Sequence, residues 1–562
     1  MRISQSLLRS SHAFPLTIAL LLTAAVYIGA LGTFFAQDDI TFLARAAGLE
    51  TGAGVFRALS SGLMFRSLFA IFGLSPLGYH VVNLALHLLN VAGVYALTLR
   101  LGGRRETAVA AAALFGCSSI AFTPLHWAAG VVEILTGTLL LGAALLHLES
   151  IRRGSAWRWA ASLVALAAMF SKEISVAWVL VVVLLEWTSK RRPLQIQALL
   201  PSLVLTSTFV LIVSFRGGLP RPSPSDAYAL SASPSFLVQN LFTYVKWCAA
   251  LWEPIRDRMA TADPGAWRLA VPICVVIGVA ILREPRDAGL RAALGVGWWL
   301  AFLVPVLPLV HHTYLYYLYL PWIGGAIAIA SLGEVLLARW PSRTRTSLGL
   351  AALGGYVLVE AHNIDVRRTA TRDALPVDRT IRDAMLLRHA LPALRAARLA
   401  PGTGIAFVNP VPRARFDLIT SAPTRPEDQA KRASYFPLEA AMRGGETLRL
   451  FEPQVVYRGF SRTIPSGWED TEWFYFEQRG WLERWGRGQD ALMHQAQVQM
   501  ASRRWAEAES TFLRVRALGD TLPSALEGQL TALFQQGKAL EAGRVEGELA
   551  RRWPRHPAPR NF

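Results

Sequence analysis

The sequence predicts an α-helical polytopic membrane protein with about eleven transmembrane helices, followed by a soluble α/β region and short helical repeats. Three observations support this prediction. Of the 562 residues, 53% are hydrophobic and 17% are charged, whereas soluble domains carry about 25% charged residues. Long apolar runs fill the first two thirds of the chain, and charged residues gather in the last third. Within the apolar part, basic residues lie in short loops between the runs.

The composition also predicts where the domains lie. We expect a membrane domain over residues 1–361, a soluble α/β domain over 362–484 and helical repeats over 485–562. The cysteines, Cys117 and two others, are far apart in the chain, so neither a disulfide framework nor a metal-binding cysteine cluster is expected.

Each predicted span is an apolar run of about 20 residues, the length that crosses the hydrocarbon core. The first run is interpreted as an uncleaved span, because it is long for a signal peptide and other apolar runs follow it. Residues 236–252 are apolar but contain Lys246, so we predict an interfacial or re-entrant helix there rather than a span. The predicted spans are 14–35, 78–99, 107–124, 130–148, 157–171, 174–188, 195–215, 267–283, 290–310, 314–337 and 346–361.

The loops on one side of the predicted spans carry arginine and lysine, which are enriched in short cytoplasmic loops. The N-terminus is therefore predicted to be cytoplasmic. An odd number of spans places the C-terminal region on the periplasmic side of a bacterial inner membrane. The net charge of +18 follows from these loops, so we expect the lipid bilayer and no nucleic acid as a partner. The orienting residues are Arg2, Arg9, Arg100, Arg104, Arg105, Arg152, Arg153, Arg158, Lys190, Arg191, Arg192, Arg283, Arg286, Arg291, Arg339, Arg343 and Arg345.

Two adjacent carboxylates follow the first span in the segment FFAQDDITFL, on the predicted external face. Asp38 and Asp39 are either ordinary acids of a solvated loop or the carboxylates of a catalytic site. The flanking aromatic residues hold this loop at the membrane interface, which favours the catalytic interpretation.

The second span carries polar residues on one helix face, His80, Asn83, His87 and Asn90, within about 80° of one another. Polar side chains in hydrocarbon usually face a partner helix or a wet cavity. We expect interhelical hydrogen bonds for Asn83, His87 and Asn90, whereas His80, near the external end, is a candidate for lining a site.

Further ionisable residues lie near the external ends of later spans. Glu133 is an acid a few residues inside an apolar span, and intramembrane acids pair with a base, bind a metal or line a cavity. Lys172 and Glu173 either neutralise each other or contribute a cation to a lipid phosphate. The other candidates for substrate binding on this side are His126, Arg216, Lys246, His311, His312 and Tyr316.

The soluble part contains strand-like segments and a repeat. The short apolar runs GIAFVNP, ETLRLFEP, VVYRGF and TEWFYFEQ are predicted strands, and residues 377–399 are predicted to be helical. Residues 487–553 repeat at an offset of 34 residues, with matches such as Ala491 to Ala525 and Leu492 to Leu526. This period is typical of tetratricopeptide (TPR) repeats. The repeats either bind a protein partner or acceptor, or act as a structural cap.

Several of these segments resemble a known family. FFAQDDITFL, FGLSPLGYHVVNLALHLLN, FSKEIS and YLYLP resemble the multi-spanning GT-C glycosyltransferases. The similarity is greatest to the protein O-mannosyltransferase-like branch (glycosyltransferase family 39-like) with C-terminal tetratricopeptide repeats. It covers most of residues 14–361. Relatives often show a Glu-Arg pair before YLYLP, where this chain has Leu315 and Tyr316.

The resemblance implies a polyprenyl-phosphate-linked sugar as the donor and a protein, glycan or lipid hydroxyl as the acceptor on the external side. It implies catalytic roles for Asp38 or Asp39 in the first external loop and for Glu133 in the next. A carboxylate there would act as a general base. Asp38 and Asp39 would also suit Mg²⁺ or Mn²⁺, although nothing in the sequence requires a metal.

Two other functions remain open from the sequence. The first is a transporter or flippase for a lipid-linked substrate, although transporters usually show internal repeats among their spans, and none is visible here. The second is a non-catalytic membrane scaffold whose TPR-like repeats bind a protein partner.

Overall fold

The protein is described by a computed structural model, in which the chain forms two compact units. The first contains the described residues up to Arg372 and Pro376–Ile381, and the second contains most of the rest. The structure describes residues 3–51, 55, 57–190, 196–217, 229–257, 261–283, 287–372, 374–410, 436–477, 479–519 and 522–554. Of the residues used above for the orientation, Arg2, Arg191, Arg192 and Arg286 lie outside these ranges.

The first unit is helical apart from a few short extended segments. Its α-helices in chain order are α1 (Ile3–Tyr27), α2 (Asp38–Ala46), α3 (Phe65–Phe72), α4 (Pro76–Arg100), α5 (Arg105–Gly116), α6 (Phe122–His126), α7 (Val131–Arg153), α8 (Ser155–Ser171), α9 (Trp178–Lys190), α10 (Ile196–Gly217), α11 (Pro234–Ala249), α12 (Trp267–Arg283), α13 (Asp287–Leu303), α14 (Tyr319–Leu337) and α15 (Ser342–Thr369). Short 3₁₀ helices join several of them, including Ile28–Gly32, Ala128–Gly130, Glu173–Ala177 and Leu315–Leu318.

Seven helical segments among the described residues are long and apolar enough to cross a membrane. They support an integral membrane protein, while its orientation and the inner membrane of a bacterium remain predictions. The segments are Ala13–Gly32, Pro76–Arg100, Arg105–His126, Ala128–Arg153, Ile196–Arg216, Asp287–Val306 and Leu315–Leu337.

The predicted count of eleven spans is not confirmed, although the four remaining segments are also helical. Helices α8 and α12 have 17 residues each and α9 has 13, so these helices are shorter than the ~20 residues that cross a bilayer. Helix α15 has 28 residues but carries charged side chains at both ends, including Arg343 and Arg367. Helix α11, in the segment predicted as interfacial or re-entrant, has 16 residues and is not among the seven.

Polar side chains of α4 connect it to neighbouring helices, as the sequence predicted. His87 Nδ1 lies 2.8 Å from the hydroxyl of Tyr319 in α14, and Asn90 donates to the same hydroxyl at 3.0 Å. Asn83 donates to the carbonyl of Trp127 at 3.0 Å. These bonds satisfy buried polar groups that would otherwise be costly in an apolar interior.

Helices α13 and α14 approach closely at a pair of glycines. A Cβ atom on Gly295 would lie 2.5 Å from the carbonyl oxygen of Gly324, which is shorter than any ordinary contact. Small residues at a helix crossing allow the two backbones to come together and strengthen dispersion contacts.

The second unit contains a four-stranded mixed sheet and several helices. Strand β3 pairs in parallel with β4 and β5, and β5 pairs antiparallel with β6, giving the order β4-β3-β5-β6. The strands along the chain are β1 (Thr371–Arg372), β2 (Leu375–Pro376), β3 (Gly404–Val408), β4 (Val456–Ser461), β5 (Glu472–Phe476) and β6 (Leu482–Gly486). The described helices are α16 (Arg379–Ala396), α17 (Pro437–Met442), α18 (Glu446–Phe451), α19 (Gly488–Ala501), α20 (Trp505–Leu518), α21 (Pro523–Gln535) and α22 (Ala539–Arg552).

Most of the predicted elements of this unit are confirmed, but one strand prediction is wrong. The segment ETLRLF forms the helix Glu446–Phe451. A six-residue apolar segment does not distinguish a strand from one helical turn by periodicity, and Gly445 before it adopts a left-handed conformation that starts the helix.

Residues at matching positions of the 34-residue repeat occupy equivalent places in the helices. Ala491 and Ala525 are buried in α19 and α21, as are Leu492 and Leu526. Trp473 of the sheet shares a core with residues of these helices, including Phe512 of α20. The helices α19–α22 are thus repeated helical pairs packed on the sheet, and their assignment to the TPR family stays a prediction.

Candidate functional site

The two adjacent carboxylates begin α2, but the structure gives them different environments. Asp39 is fully buried, and its carboxylate accepts hydrogen bonds from three backbone N–H groups. Oδ2 accepts from Ala36 at 2.9 Å and from Ala128 at 3.4 Å, and Oδ1 accepts from Ala129 at 2.6 Å. Asp39 therefore joins its own turn to the start of the 3₁₀ helix Ala128–Gly130, where N–H groups have no helical partner.

Asp38 is half-buried, so it is the more exposed carboxylate of the pair. Gln37, just before it, has φ of 51°, a left-handed conformation that turns the chain sharply into α2. Burial raises the pKa of Asp39 to about 8, even though its three backbone donors lower it. We infer that Asp39 positions the turn and that Asp38 presents its carboxylate at the site.

The two histidines of α4 and α6 that were predicted to line the site, His80 and His126, are both buried. His80 Nδ1 lies 2.9 Å from the carbonyl oxygen of Leu125, and His126 Nδ1 lies 3.0 Å from that of Phe122. The His126 ring stacks on the Phe122 ring at 4.0 Å between centroids. Both histidines support the segment that carries the N–H partners of Asp39, and a direct role in substrate binding stays a prediction.

Glu133 and Lys172 form a buried ion pair. The Lys172 ammonium donates to Glu133 Oε1, and their side chains are 3% and 7% exposed, respectively. The same ammonium lies 4.9 Å from the centroid of the Tyr317 ring, a cation–π distance. Lys172 directly follows α8, which packs against α7, the helix that carries Glu133.

Glu173 pairs with a residue that the sequence did not single out. Arg57 donates to it twice, from Nε to Oε2 at 2.9 Å and from a terminal nitrogen to Oε1 at 2.6 Å. The sequence left open that Lys172 and Glu173 neutralise each other, but each instead bonds to a residue far away in the chain. The sequence shows Arg57 as an arginine in an apolar segment that is predicted to be external. This feature is too common to identify the partner of the arginine.

Aromatic rings connect the turn of Asp38 to the Glu133–Lys172 pair. Trp127 donates from its indole nitrogen to the carbonyl of Ala36 at 3.1 Å, and its ring lies 6.1 Å from that of Tyr316. The Tyr316 ring lies 4.7 Å from Tyr317, the ring beneath the Lys172 ammonium. These contacts form a chain of rings that includes Tyr316 and runs from the Ala36 carbonyl, in the turn before Asp38, to the Lys172 ammonium.

Four predicted residues lie outside this group or at its edge. Lys246 forms ion pairs with Asp263 at 2.9 Å and Glu253 at 3.1 Å. Arg216 is exposed on the last turn of α10, and in the described part of the chain no hydrogen bond or ion pair joins it to the site. His311 is exposed, whereas His312 is half-buried with its ring 4.8 Å from that of Tyr314.

A second buried ion cluster supports the segment before Tyr316 and was missed from the sequence. Arg367 pairs with Asp378 at 2.7 Å and with Asp257 at 3.4 Å. Asp257 accepts a hydrogen bond from the backbone N–H of Leu315 at 3.1 Å. Arg367 comes after the last predicted span, and its two partners are distant in sequence, so no local pattern indicated the cluster.

The residues present do not form a preassembled metal site. Among the residues that the structure describes, no group of three His, Cys, Asp or Glu side chains could hold a metal ion. Both oxygens of Asp39, one of the two predicted Mg²⁺ or Mn²⁺ ligands, already accept backbone hydrogen bonds.

Comparisons with known proteins give distant structural matches. No protein-family model and no curated protein matches the sequence. The solved structures that match include the Archaeoglobus fulgidus oligosaccharyltransferase in complex with Zn and sulfate, with 11% identity and a TM-score of 0.44 over 79% of this chain. The chain spans 62% of the length of that protein. ArnT from Cupriavidus metallidurans, bound to undecaprenyl phosphate, matches with 15% identity and a TM-score of 0.35 over 68% of this chain and 71% of its own.

Proposed function

We propose that this chain is a membrane glycosyltransferase of the GT-C type, which moves a sugar from a polyprenyl-phosphate-linked donor to an acceptor hydroxyl on the predicted external side. The observation that carries the proposal is the chain of ring contacts that links the turn carrying the half-buried Asp38 to the buried Lys172. Asp38 is held by a turn that Asp39 locks to three backbone N–H groups. This arrangement supplies a base and a cation from a rigid frame, as glycosyl transfer from a phosphate requires.

In the proposed reaction, the Asp38 carboxylate accepts the proton of the acceptor hydroxyl as its oxygen bonds to the anomeric carbon. The bond between the anomeric carbon and the phosphate oxygen breaks, and the polyprenyl phosphate leaves with the electron pair. The leaving group needs compensation of its negative charge rather than a strong acid. Asp39 acts through Asp38 as a positioning residue, because backbone N–H groups occupy its oxygens.

Lys172 is the cation that we assign to the donor phosphate. Its ammonium bonds to Glu133 and faces the ring of Tyr317, next to Tyr316. Leu315 and Tyr316 stand where related sequences often show Glu-Arg, and Leu315 is fully buried. A phosphate would therefore compete with Glu133 for Lys172, so Glu133 holds the lysine in place rather than acting as a second base.

The remaining parts of the proposal concern acceptor and partner. An external acceptor agrees with the predicted orientation, and a protein, a glycan or a lipid could each supply the hydroxyl. The helical pairs of α19–α22 offer a surface for an acceptor or a protein partner, as tetratricopeptide arrays do.

Mass spectrometry of glycans and glycoproteins tests the proposal in cells that lack the protein. Complementation with the wild type should restore a glycan species that Asp38→Asn does not restore. Asp365→Asn is the matched control, because Asp365 is an exposed acid of α15 whose ion pair is with Arg368, close by in the chain. If cells with and without the protein have the same glycan profile, the proposed transferase activity is contradicted. The two alternatives, a transporter of a lipid-linked substrate and a non-catalytic scaffold, would then remain.

A further inference from the structure

A pocket of about 450 Å³ lies where four helices end, far in the chain from the candidate site. Its walls come from the last turns of α4, α7 and α9 and from the first two turns of α13. These ends adjoin the loops whose arginines predict the cytoplasmic side. Nothing in the proposed transfer reaction uses this pocket.

The pocket combines cationic and aliphatic walls. Arg100, Arg152 and Arg291 supply the cations, and Asp287 is the acid among the lining residues. Leucines, among them Leu148, and one isoleucine supply the aliphatic part of the wall. A surface that offers guanidinium groups beside aliphatic side chains suits an amphiphile with an anionic head.

The arginines around the pocket outnumber the carboxylates that they bind. Glu149 is shared by Arg100 at 2.5 Å and Arg153 at 2.6 Å. Arg152 is exposed, and in the described ranges no carboxylate pairs with it. The pocket therefore has positive charge beyond what its internal ion pairs neutralise.

Arg291 is fixed in the wall of the pocket. Its side chain is 5% exposed and donates to the carbonyl of Gly102 at 3.1 Å and to Glu334 at 2.7 Å. Its Nε is buried and has no hydrogen-bond partner among the described residues. Enrichment of arginine in cytoplasmic loops explains exposed residues such as Arg152, but it does not explain a buried arginine with an unsatisfied donor beside a pocket.

We propose that this pocket binds the phosphate group of an anionic lipid in the leaflet next to these loops. Arg152 and Arg100 contact the phosphate oxygens, Arg291 contributes its fixed charge, and the aliphatic wall contacts the start of the acyl chains. A water-soluble phosphate ester shares the same head chemistry but makes no use of the aliphatic wall. The proposal is independent of the glycosyl transfer.

Native mass spectrometry of the full-length protein in detergent tests this site, with dioleoyl phosphatidylglycerol as the probe. We expect phosphatidylglycerol to bind more tightly than dioleoyl phosphatidylcholine. Loss of one charge-assisted contact in Arg152→Gln should weaken phosphatidylglycerol binding about tenfold. Arg343→Gln is the matched control, because Arg343 is exposed in the first turn of α15, on the same predicted side, and is not part of the pocket wall.

The outcomes separate the lipid from a soluble ligand. If glycerol phosphate displaces phosphatidylglycerol, and if Arg152→Gln weakens the binding of both equally, the pocket is a site for a soluble phosphate ester. This result overturns the assignment to a lipid. Equal phosphatidylglycerol binding by the wild type and Arg152→Gln overturns the proposal, as does equal binding of the two lipids. Arg291→Gln should also weaken binding, but it breaks the bond to Glu334 as well, so Arg152→Gln decides the question.

Discussion

The buried pair of Glu133 and Lys172 gives a prediction that separates structure from chemistry. Lys172→Met leaves the Glu133 carboxylate without its cation, and Glu133→Gln leaves the Lys172 ammonium without its anion. Because the two side chains are 3% and 7% exposed, solvent screens neither charge. Removing one partner of such a pair costs about 3–5 kcal/mol, whereas replacing both by neutral side chains is often neutral or stabilising.

The combined variant Glu133→Gln, Lys172→Met should therefore be more stable than either single variant. In a double-mutant cycle, the interaction energy would have the sign of a favourable pair, with a magnitude of about 3 kcal/mol or more. The cation–π contact of Lys172 with Tyr317 is also lost in Lys172→Met, at an additional cost of about 1–2 kcal/mol.

Thermal unfolding of the purified protein in detergent measures the stability order, and sugar transfer by the same samples measures the chemistry. If Lys172 compensates the donor phosphate, the double variant is folded but inactive. A double variant that is as active as the wild type refutes the role of Lys172. Single variants that unfold at the wild-type temperature refute the buried pair itself.

Two further predictions concern stability. Asp39→Asn should lower the free energy of unfolding by about 1–3 kcal/mol for each backbone donor that loses its acceptor. Thermal unfolding measures this loss. The pKa of Asp39 is about 8 in the folded protein, whereas its ordinary value is 3.8. The folded state therefore favours the protonated form of Asp39, whose contribution to the free energy of unfolding is fully present below about pH 4 and is lost as the pH rises to 8. The wild type should therefore lose more stability than Asp39→Asn between pH 5 and pH 8, and equal losses would contradict the burial of Asp39. Gly295→Ala should cost about 1–3 kcal/mol, because the new Cβ meets the Gly324 carbonyl. Gly333→Ala, whose Cβ would have no neighbour within 4 Å, should cost nothing, and similar effects of the two alanines would rule out the close crossing.

The helical architecture was predictable because apolar length is a local property. Every predicted span corresponds to a helix, and the polar face of α4 correctly predicted interhelical hydrogen bonds for Asn83, His87 and Asn90. The number of spans was less predictable, because helices such as α9 are shorter than the apolar run that contains them. Part of that run forms the 3₁₀ helix Glu173–Ala177.

The sequence proposed residues for the candidate site but did not indicate which of them pair with one another. The sequence identified Asp38, Asp39, Glu133 and Lys172, yet it did not indicate that Asp39 is locked by backbone N–H groups. Ion pairs between distant residues depend on how helices pack, and one sequence contains no record of that packing. The pairing of Arg57 with Glu173, 116 positions apart, is therefore visible only in the structure.

Sugar transfer by the purified protein tests the central claim most directly. The substrate is a polyprenyl-phosphate-linked sugar whose label is followed into an added acceptor. We expect Asp38→Asn to lower the rate by about 10²–10⁴-fold, the usual contribution of a general base, while its unfolding temperature stays that of the wild type. Transfer at the wild-type rate by a folded Asp38→Asn protein would contradict the assignment of Asp38 as the base.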